Sequence, residues 1–264
     1  ILLDGTEADF AALAFASEDT WGNMHDFLVS VLDSFAPRLG DIRFPGPISQ
    51  FFQPFDAESD QLQDIDFKDV KLFFPARPQD EDANQVLIDR EARVLNTYQP
   101  GTETGTEAWR RYYRMIYRDT ALRLMPLVPH IRGWVRRQGI ADEQVPAELL
   151  SWLQNFEYAR RGGISDFDSA LTCLTGESGD CDSLAMIYVI LLQELGYDAI
   201  LMVSPVHAHA MAAVNVEGQG ARFPFEGAAY LVAELTDDVS LGLIDQRMSN
   251  PADWFGVEFS SFRP

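Results

Sequence analysis

The chain has 264 residues, 47% of them hydrophobic, and a formal net charge of −21 at neutral pH. This hydrophobic content supports a folded core and excludes a generally disordered chain. A surface this acidic would repel phosphates, which excludes general binding to nucleic acid. No apolar run reaches the ~18 residues of a membrane-spanning helix.

Residues 1–105 predict a mainly helical and loop-rich N-terminal region whose role the sequence does not indicate. An amphipathic helix is expected within 8–36, bent or broken at Gly22, and a short helix within 84–95. Prolines and phenylalanines predict an irregular stretch between them, and the turn-rich residues that follow place a domain boundary before the second region, 106–264.

The irregular stretch contains an acidic run that is similar to a calcium-binding loop. Its members are Asp56, Asp60, Asp64, Asp66 and Asp69. The glycine that an EF-hand loop requires is missing, so a solvated acidic loop is preferred.

Residues 107–176 predict a succession of helices. The first contains an aromatic stripe at helical spacing that ends near Met125, and a later one begins at Pro146. Asp166 is expected to cap a short helix that contains the core residue Cys173. Arginines crowd residues 110–137, which indicates either a surface paired with the chain's own carboxylates or a site for an anionic ligand.

A cysteine is expected at the start of the next helix. Asp180 is a good N-cap that places Cys181 at the first helical position, and apolar residues recur at helical spacing until Gly196. The helix N-terminus favours a thiolate, whereas the charges of Asp180 and Asp182 oppose it. A nucleophilic Cys181 therefore needs a histidine nearby.

After Gly196 the pattern changes to the alternation that is typical of strands. Strands are expected at 199–203, 210–216 and 230–235, with a hairpin turn at 217–220. Helices followed by an antiparallel sheet predict the fold class α+β, with the helices packed on the sheet.

Two polar residues of these strands complete a candidate catalytic triad. His209 begins the second strand and Glu234 lies in the third, so Cys181, His209 and Glu234 have the order of a Cys-His-acid set. His207 is an alternative to His209, and the same residues could supply zinc ligands. Zinc is disfavoured because Cys181 has no paired ligand nearby, and no metal or cofactor is expected.

The segments around these residues resemble the transglutaminase-like superfamily, a branch of the papain-like cysteine fold. The matching segments are 179–185, 195–198, 209–214 and 230–236, within a resemblance that covers roughly residues 145–245. The resemblance implies a papain-like core with Cys181 as the nucleophile, His209 as the base and Glu234 as the orienting acid, where many members have aspartate.

The same resemblance implies a cysteine-dependent acyl-transfer enzyme of bacterial or archaeal type. Its substrate would be a protein or peptide, and its reaction either hydrolysis of an amide or protein crosslinking. The backbone N–H of Cys181 would stabilise the oxyanion, with the side chain of Trp152 or Gln154 as a further candidate donor.

The alternative is an inactive transglutaminase-like scaffold that serves as a protein-binding or assembly module. A covered Cys181 would favour it. The chain starts at Ile1 without methionine, so an N-terminal segment could have been removed and a membrane tether could lie outside this sequence. The sequence does not indicate the cellular compartment, although a location at the cell envelope is compatible with it. It does not indicate an oligomeric state either.

Overall fold

The computed structural model describes residues 2–3, 10–35 and 59–259. This part of the chain contains seven α-helices and a five-stranded antiparallel sheet, which confirms the predicted α+β class. None of the helices in these ranges has the length and hydropathy needed to cross a bilayer.

The N-terminal region contains more strand than the sequence predicts. Its elements are β1 (Leu2–Leu3), β2 (Phe10–Ala11), α1 (Glu18–Asp33), β3 (Leu62–Phe67), β4 (Val70–Pro75) and α2 (Pro78–Leu95). Helix α1 is shorter than expected and continues through Gly22 without a break.

The prediction of a solvated acidic loop was wrong for residues 62–67, because β3 pairs with β4 in an antiparallel hairpin. Alternate residues of the hairpin, such as Ile65 and Phe74, are buried in the core. Asp64 and Asp66 lie on its exposed face, where the ammonium group of Lys71 pairs with both. Asp56 lies outside the described residues.

The predicted helices of the middle region are present, the first two longer and the next two shorter than the sequence predicts. They are α3 (Glu103–Leu124), α4 (Leu127–Gln138), α5 (Val145–Leu153) and α6 (Ala170–Gly176), followed by α7 (Cys181–Leu195). Two short strands, β5 (Glu157–Tyr158) and β6 (Ser178–Gly179), lie before and after α6. The prediction of Asp166 as a cap was wrong. Ser169 caps α6, and its hydroxyl accepts a hydrogen bond from the backbone N–H of Thr172.

Part of the arginine-rich segment pairs with the chain's own carboxylates. The guanidinium of Arg123 is buried and lies 2.6 Å from Asp80 and 3.2 Å from Asp119. Arg111 reaches the buried carboxylate of Glu91 at 2.7 Å. These ion pairs connect α2 and α3 inside the molecule.

The sheet contains β7 (Ala199–Ser204), β8 (His209–Val214), β9 (Arg222–Phe225), β10 (Ala228–Ala233) and β11 (Phe255–Val257). Its strand order is β11-β7-β8-β10-β9, and every pair is antiparallel. The predicted hairpin at 217–220 was wrong, because β10 lies between the two strands that this segment connects. The tight turn is instead at Glu226 and Gly227, both with positive φ.

Helix α7 lies on one face of the sheet and positions the cysteine. Alternate strand residues such as Leu201 and Ala212 join the main apolar cluster with α7, whereas Met202 and Met211 belong to a second cluster on the other face. The main cluster also contains residues of β3, β4 and α2. Residues on both sides of position 105 thus share one core, and the domain division there stays a prediction.

Candidate active site

Cys181 is the first residue of α7, where the sequence predicts it. The carboxyl of Asp180 caps the helix by accepting hydrogen bonds from the backbone N–H of Ser183 at 2.8 Å and from its hydroxyl at 2.5 Å. The cap places the thiol at the tip of the helix. Cys181 is covered there, with 3% of its surface exposed.

The structure brings His209 and Glu234 into direct contact. His209 begins β8 and Glu234 directly follows β10, the neighbouring strand. Nε2 of His209 lies 2.8 Å from Oε2 of Glu234. The other oxygen of Glu234 accepts from the backbone N–H of Thr236 at 2.9 Å and from its hydroxyl at 2.7 Å. The carboxylate is therefore held by three donors.

These contacts keep Glu234 ionised. Burial raises its pKa, but the hydrogen bond and charge of His209, together with Thr236, outweigh burial and leave the pKa below its usual range. An ionised carboxylate only accepts, so Nε2 of His209 carries the proton that it donates. The second ring nitrogen, Nδ1, is then the one left to exchange a proton with a thiol.

The thiol of Cys181 reaches the histidine strand through the residue after His209. A hydrogen bond from the backbone of Ala210 lowers the pKa of Cys181, but burial first, and then the charges of Asp182 and Asp180, raise it to about 12. Within the described ranges no hydrogen bond joins the sulfur to the His209 ring. The thiol is therefore neutral in the resting protein.

Two further carboxyls crowd the nucleophile. Tyr113 of α3 donates its hydroxyl to Oδ1 of Asp182 at 2.6 Å. Burial raises the pKa of Asp182, and burial with the charge of Asp182 raises the pKa of Asp180 to about 7. Sequence reasoning missed Tyr113, because a tyrosine in the aromatic stripe of α3 carries no local sign of contact with α7.

The two side chains predicted as oxyanion donors are occupied elsewhere. The indole N–H of Trp152 donates to the backbone carbonyl of Asp66 at 2.9 Å. Nε2 of Gln154 donates to the carbonyls of Glu234 at 2.8 Å and Val239 at 2.9 Å. Gln154 thus anchors the segment that carries Glu234, and the helix-start N–H groups are the donors left for an oxyanion.

His207 lies in the turn before β8, off the strand. Its Nε2 is 3.4 Å from Oδ2 of Asp253. Trp254 separates this pair from the site, since its ring centroid lies 5.7 Å from that of His207 and 6.2 Å from that of His209. In the described part of the chain no group of three or more histidine, cysteine, aspartate or glutamate side chains is placed to hold a metal ion.

No family model, curated protein or solved structure matches the chain. The resemblance to transglutaminase-like proteins therefore rests on the motif residues alone.

Proposed function

We propose that the chain is a cysteine-dependent acyl-transfer enzyme that acts on amide bonds, on a papain-like core of the transglutaminase-like type. The observation that carries the proposal is the 2.8 Å contact of Glu234 with His209, one residue before Ala210, whose backbone is close enough to the Cys181 thiol to lower its pKa. A base with a fixed tautomer, on the strand that approaches a cysteine at a helix start, resembles the arrangement that covalent acyl transfer uses.

In the first step the sulfur of Cys181 attacks the carbonyl carbon of the amide as its proton passes to Nδ1 of His209. Glu234 stabilises the imidazolium that forms, and the backbone N–H of Cys181 donates to the oxyanion. The C–N bond then breaks, and the leaving amine takes the proton from His209. The product is a thioester on Cys181.

In the second step His209 takes a proton from water or from a second amine, which attacks the thioester and releases the thiol. Water completes hydrolysis of the amide, and a lysine-like amine completes a crosslink. Hydrolysis is the proposed main reaction. Because the pKa of Cys181 is about 12, the proton transfer and the attack occur together once substrate is bound, with no thiolate stored beforehand.

The test is acylation by an activated ester, p-nitrophenyl acetate, which demands little recognition. The intact chain should gain one acetyl group, release p-nitrophenol and yield acetohydroxamate when hydroxylamine is added. Cys181→Ala should lose all three signals. Cys173→Ala is the matched control, because Cys173 is also buried and free but lies inside α6. Equal p-nitrophenol release by the parent and Cys181→Ala overturns the proposal.

The burial of Cys181 favours a second candidate function, a protein-binding module on an inactive scaffold. A thiol that is 3% exposed with a pKa of about 12 is unreactive unless the site opens. A module of this kind would show no acetyl transfer in the same experiment. Its partner binding would be unchanged in Cys181→Ala.

A further inference from the structure

A short strand pairs with the segment that leads into Cys181. This strand, β5 (Glu157–Tyr158), runs parallel to β6 (Ser178–Gly179). The pairing extends one residue further, because the backbone N–H of Ala159 donates to the carbonyl of Gly179 at 3.0 Å. Since Gly179 is followed by Asp180 and Cys181, the residues after Tyr158 lie beside the nucleophile.

Arg160, two residues after Tyr158 at the end of β5, is held in a fixed orientation beside the segment that leads into Cys181. Its Nε donates to the hydroxyl of Tyr158 at 2.8 Å, and its guanidinium carbon lies 5.9 Å from the centre of that ring. Half of the side chain, 51%, is exposed. The charge of Arg160 also lowers the pKa of Cys181 and of Asp182, so it acts electrostatically on the site.

Arg160 and its neighbour Arg161 lack the close carboxylates that other arginines of the chain have. Arg160 is 3.7 Å from Asp166 and Arg161 is 3.9 Å from Asp168, both beyond a direct hydrogen bond. The buried pair of Arg123, by contrast, is 2.6 Å long. In a chain of net charge −21, two half-exposed guanidinium groups with distant partners are available to an external anion.

We infer that the exposed segment of Tyr158, Arg160 and Arg161, called the Arg160 rim, binds a carboxylate side chain of the acyl donor. The inference rests on the proposed function and names its substrate class, an acidic peptide. A guanidinium offers paired N–H groups that fit a carboxylate, and the partly exposed ring of Tyr158 offers apolar contact to the same peptide. The acidic remainder of the surface would repel such a peptide, so the rim determines where it binds.

The experiment measures peptide binding by titration calorimetry with the full chain carrying Cys181→Ala, so that no peptide is consumed. Two peptides are compared, identical except that glutamates flanking a central glutamine are replaced by glutamines in the second. The acidic peptide should bind more tightly. Arg160→Gln should weaken its binding about three- to tenfold, the range expected for one charge-assisted contact at a half-exposed site, and leave the neutral peptide unchanged.

Arg247→Gln is the matched control, because Arg247 is exposed and its guanidinium is already held by the carboxylate of Asp245 at 2.5 Å. It should change neither affinity, and added salt should weaken only the acidic peptide. Equal affinity for the two peptides, absence of binding by both, or an unchanged affinity in Arg160→Gln overturns the inference. Preference for the acidic peptide in a chain that forms no acetyl-enzyme would refute the proposed enzyme while the rim stands as a binding site.

Discussion

Replacing Glu234 by glutamine removes the charge of the carboxylate but keeps the size and shape of the side chain. Glutamine fills the same volume, and its oxygen can still accept from the backbone N–H and hydroxyl of Thr236. Its amide group then faces Nε2 of His209 as a donor. The imidazole must turn its proton to Nδ1, the nitrogen that has to receive the proton of Cys181.

The expected loss of activity follows from this tautomer change. An equivalent carboxylate-to-amide change in a triad hydrolase lowers kcat by about 10⁴-fold, and we expect a loss of about 10²- to 10⁴-fold in acetyl transfer from p-nitrophenyl acetate. The folding free energy changes less. One hydrogen bond from His209 to an ionised group is lost, which costs on the order of 1–3 kcal/mol.

The pH dependence separates the two effects. The pKa of Glu234 is lowered in the folded protein from a value of 4.5, so its contribution to stability is present above that value and is lost as the pH falls through the lowered pKa. Thermal unfolding should therefore show a gap between parent and Glu234→Gln at neutral pH that narrows in acid. Glu226→Gln, at the exposed β9–β10 turn, should match the parent throughout. Unchanged acetyl transfer in a folded Glu234→Gln chain would refute the orienting role.

Three further changes test the buried charges. Asp180→Asn should keep the helix cap but remove part of the pH dependence of the unfolding free energy. Because the pKa of Asp180 is about 7 in the folded chain, the folded chain holds a proton between about pH 4 and about pH 7 that the unfolded chain has released. Urea titrations of the parent should therefore show the unfolding free energy falling by on the order of 1 kcal/mol per pH unit as the pH rises from about 4 to about 7. Asp182→Asn should lower the pKa of Cys181 and speed its alkylation by iodoacetamide, about tenfold for each unit by which the pKa falls. Arg90→Ala should cost about 3–5 kcal/mol in urea unfolding, because it removes the buried partner of Asp33.

Each of these changes has a control in which the same type of substitution is made at an exposed residue. Asp142→Asn, at an exposed position away from the site, should alter neither the pH slope nor the alkylation rate. Arg247→Ala should leave the unfolding midpoint unchanged, since its ion pair with Asp245 is on the surface. A parent-like slope in Asp180→Asn, or parent-like alkylation in Asp182→Asn, would contradict the electrostatic account of the site.

The parts of the site that sequence could predict are those with local signals. A cap residue, a helical apolar period and a closing glycine place Cys181 at the start of α7, and strand alternation places His209 at the start of one strand and Glu234 at the end of another. The pairing of β8 with β10 could not be predicted from the turn at 217–220, because strand order depends on contacts that are distant in sequence.

The β3–β4 hairpin shows why local signals can mislead. Asp64 and Asp66 alternate with buried residues of β3, yet their density in the sequence suggests a solvated loop. Likewise, Tyr113 has the same helical spacing as core aromatics, and its contact with Asp182 becomes visible only once α3 packs against α7. The missed features all depend on which elements pack together.

The electrostatics of the site distinguish between two ways of using a cysteine. Asp180 and Asp182 oppose a thiolate, whereas the carboxylate of Glu234 lies 2.8 Å from the His209 ring, where it can stabilise positive charge that develops on the ring. A resting thiolate–imidazolium pair would need the first two charges to be neutralised. The burial that raises the pKa of both aspartates also covers the sulfur, so the same feature that suppresses the free thiolate protects the thiol. For the proposed enzyme this balance predicts activation by substrate binding, with the positive charge of Arg160 as a group that favours the ionised forms of Cys181 and Asp182.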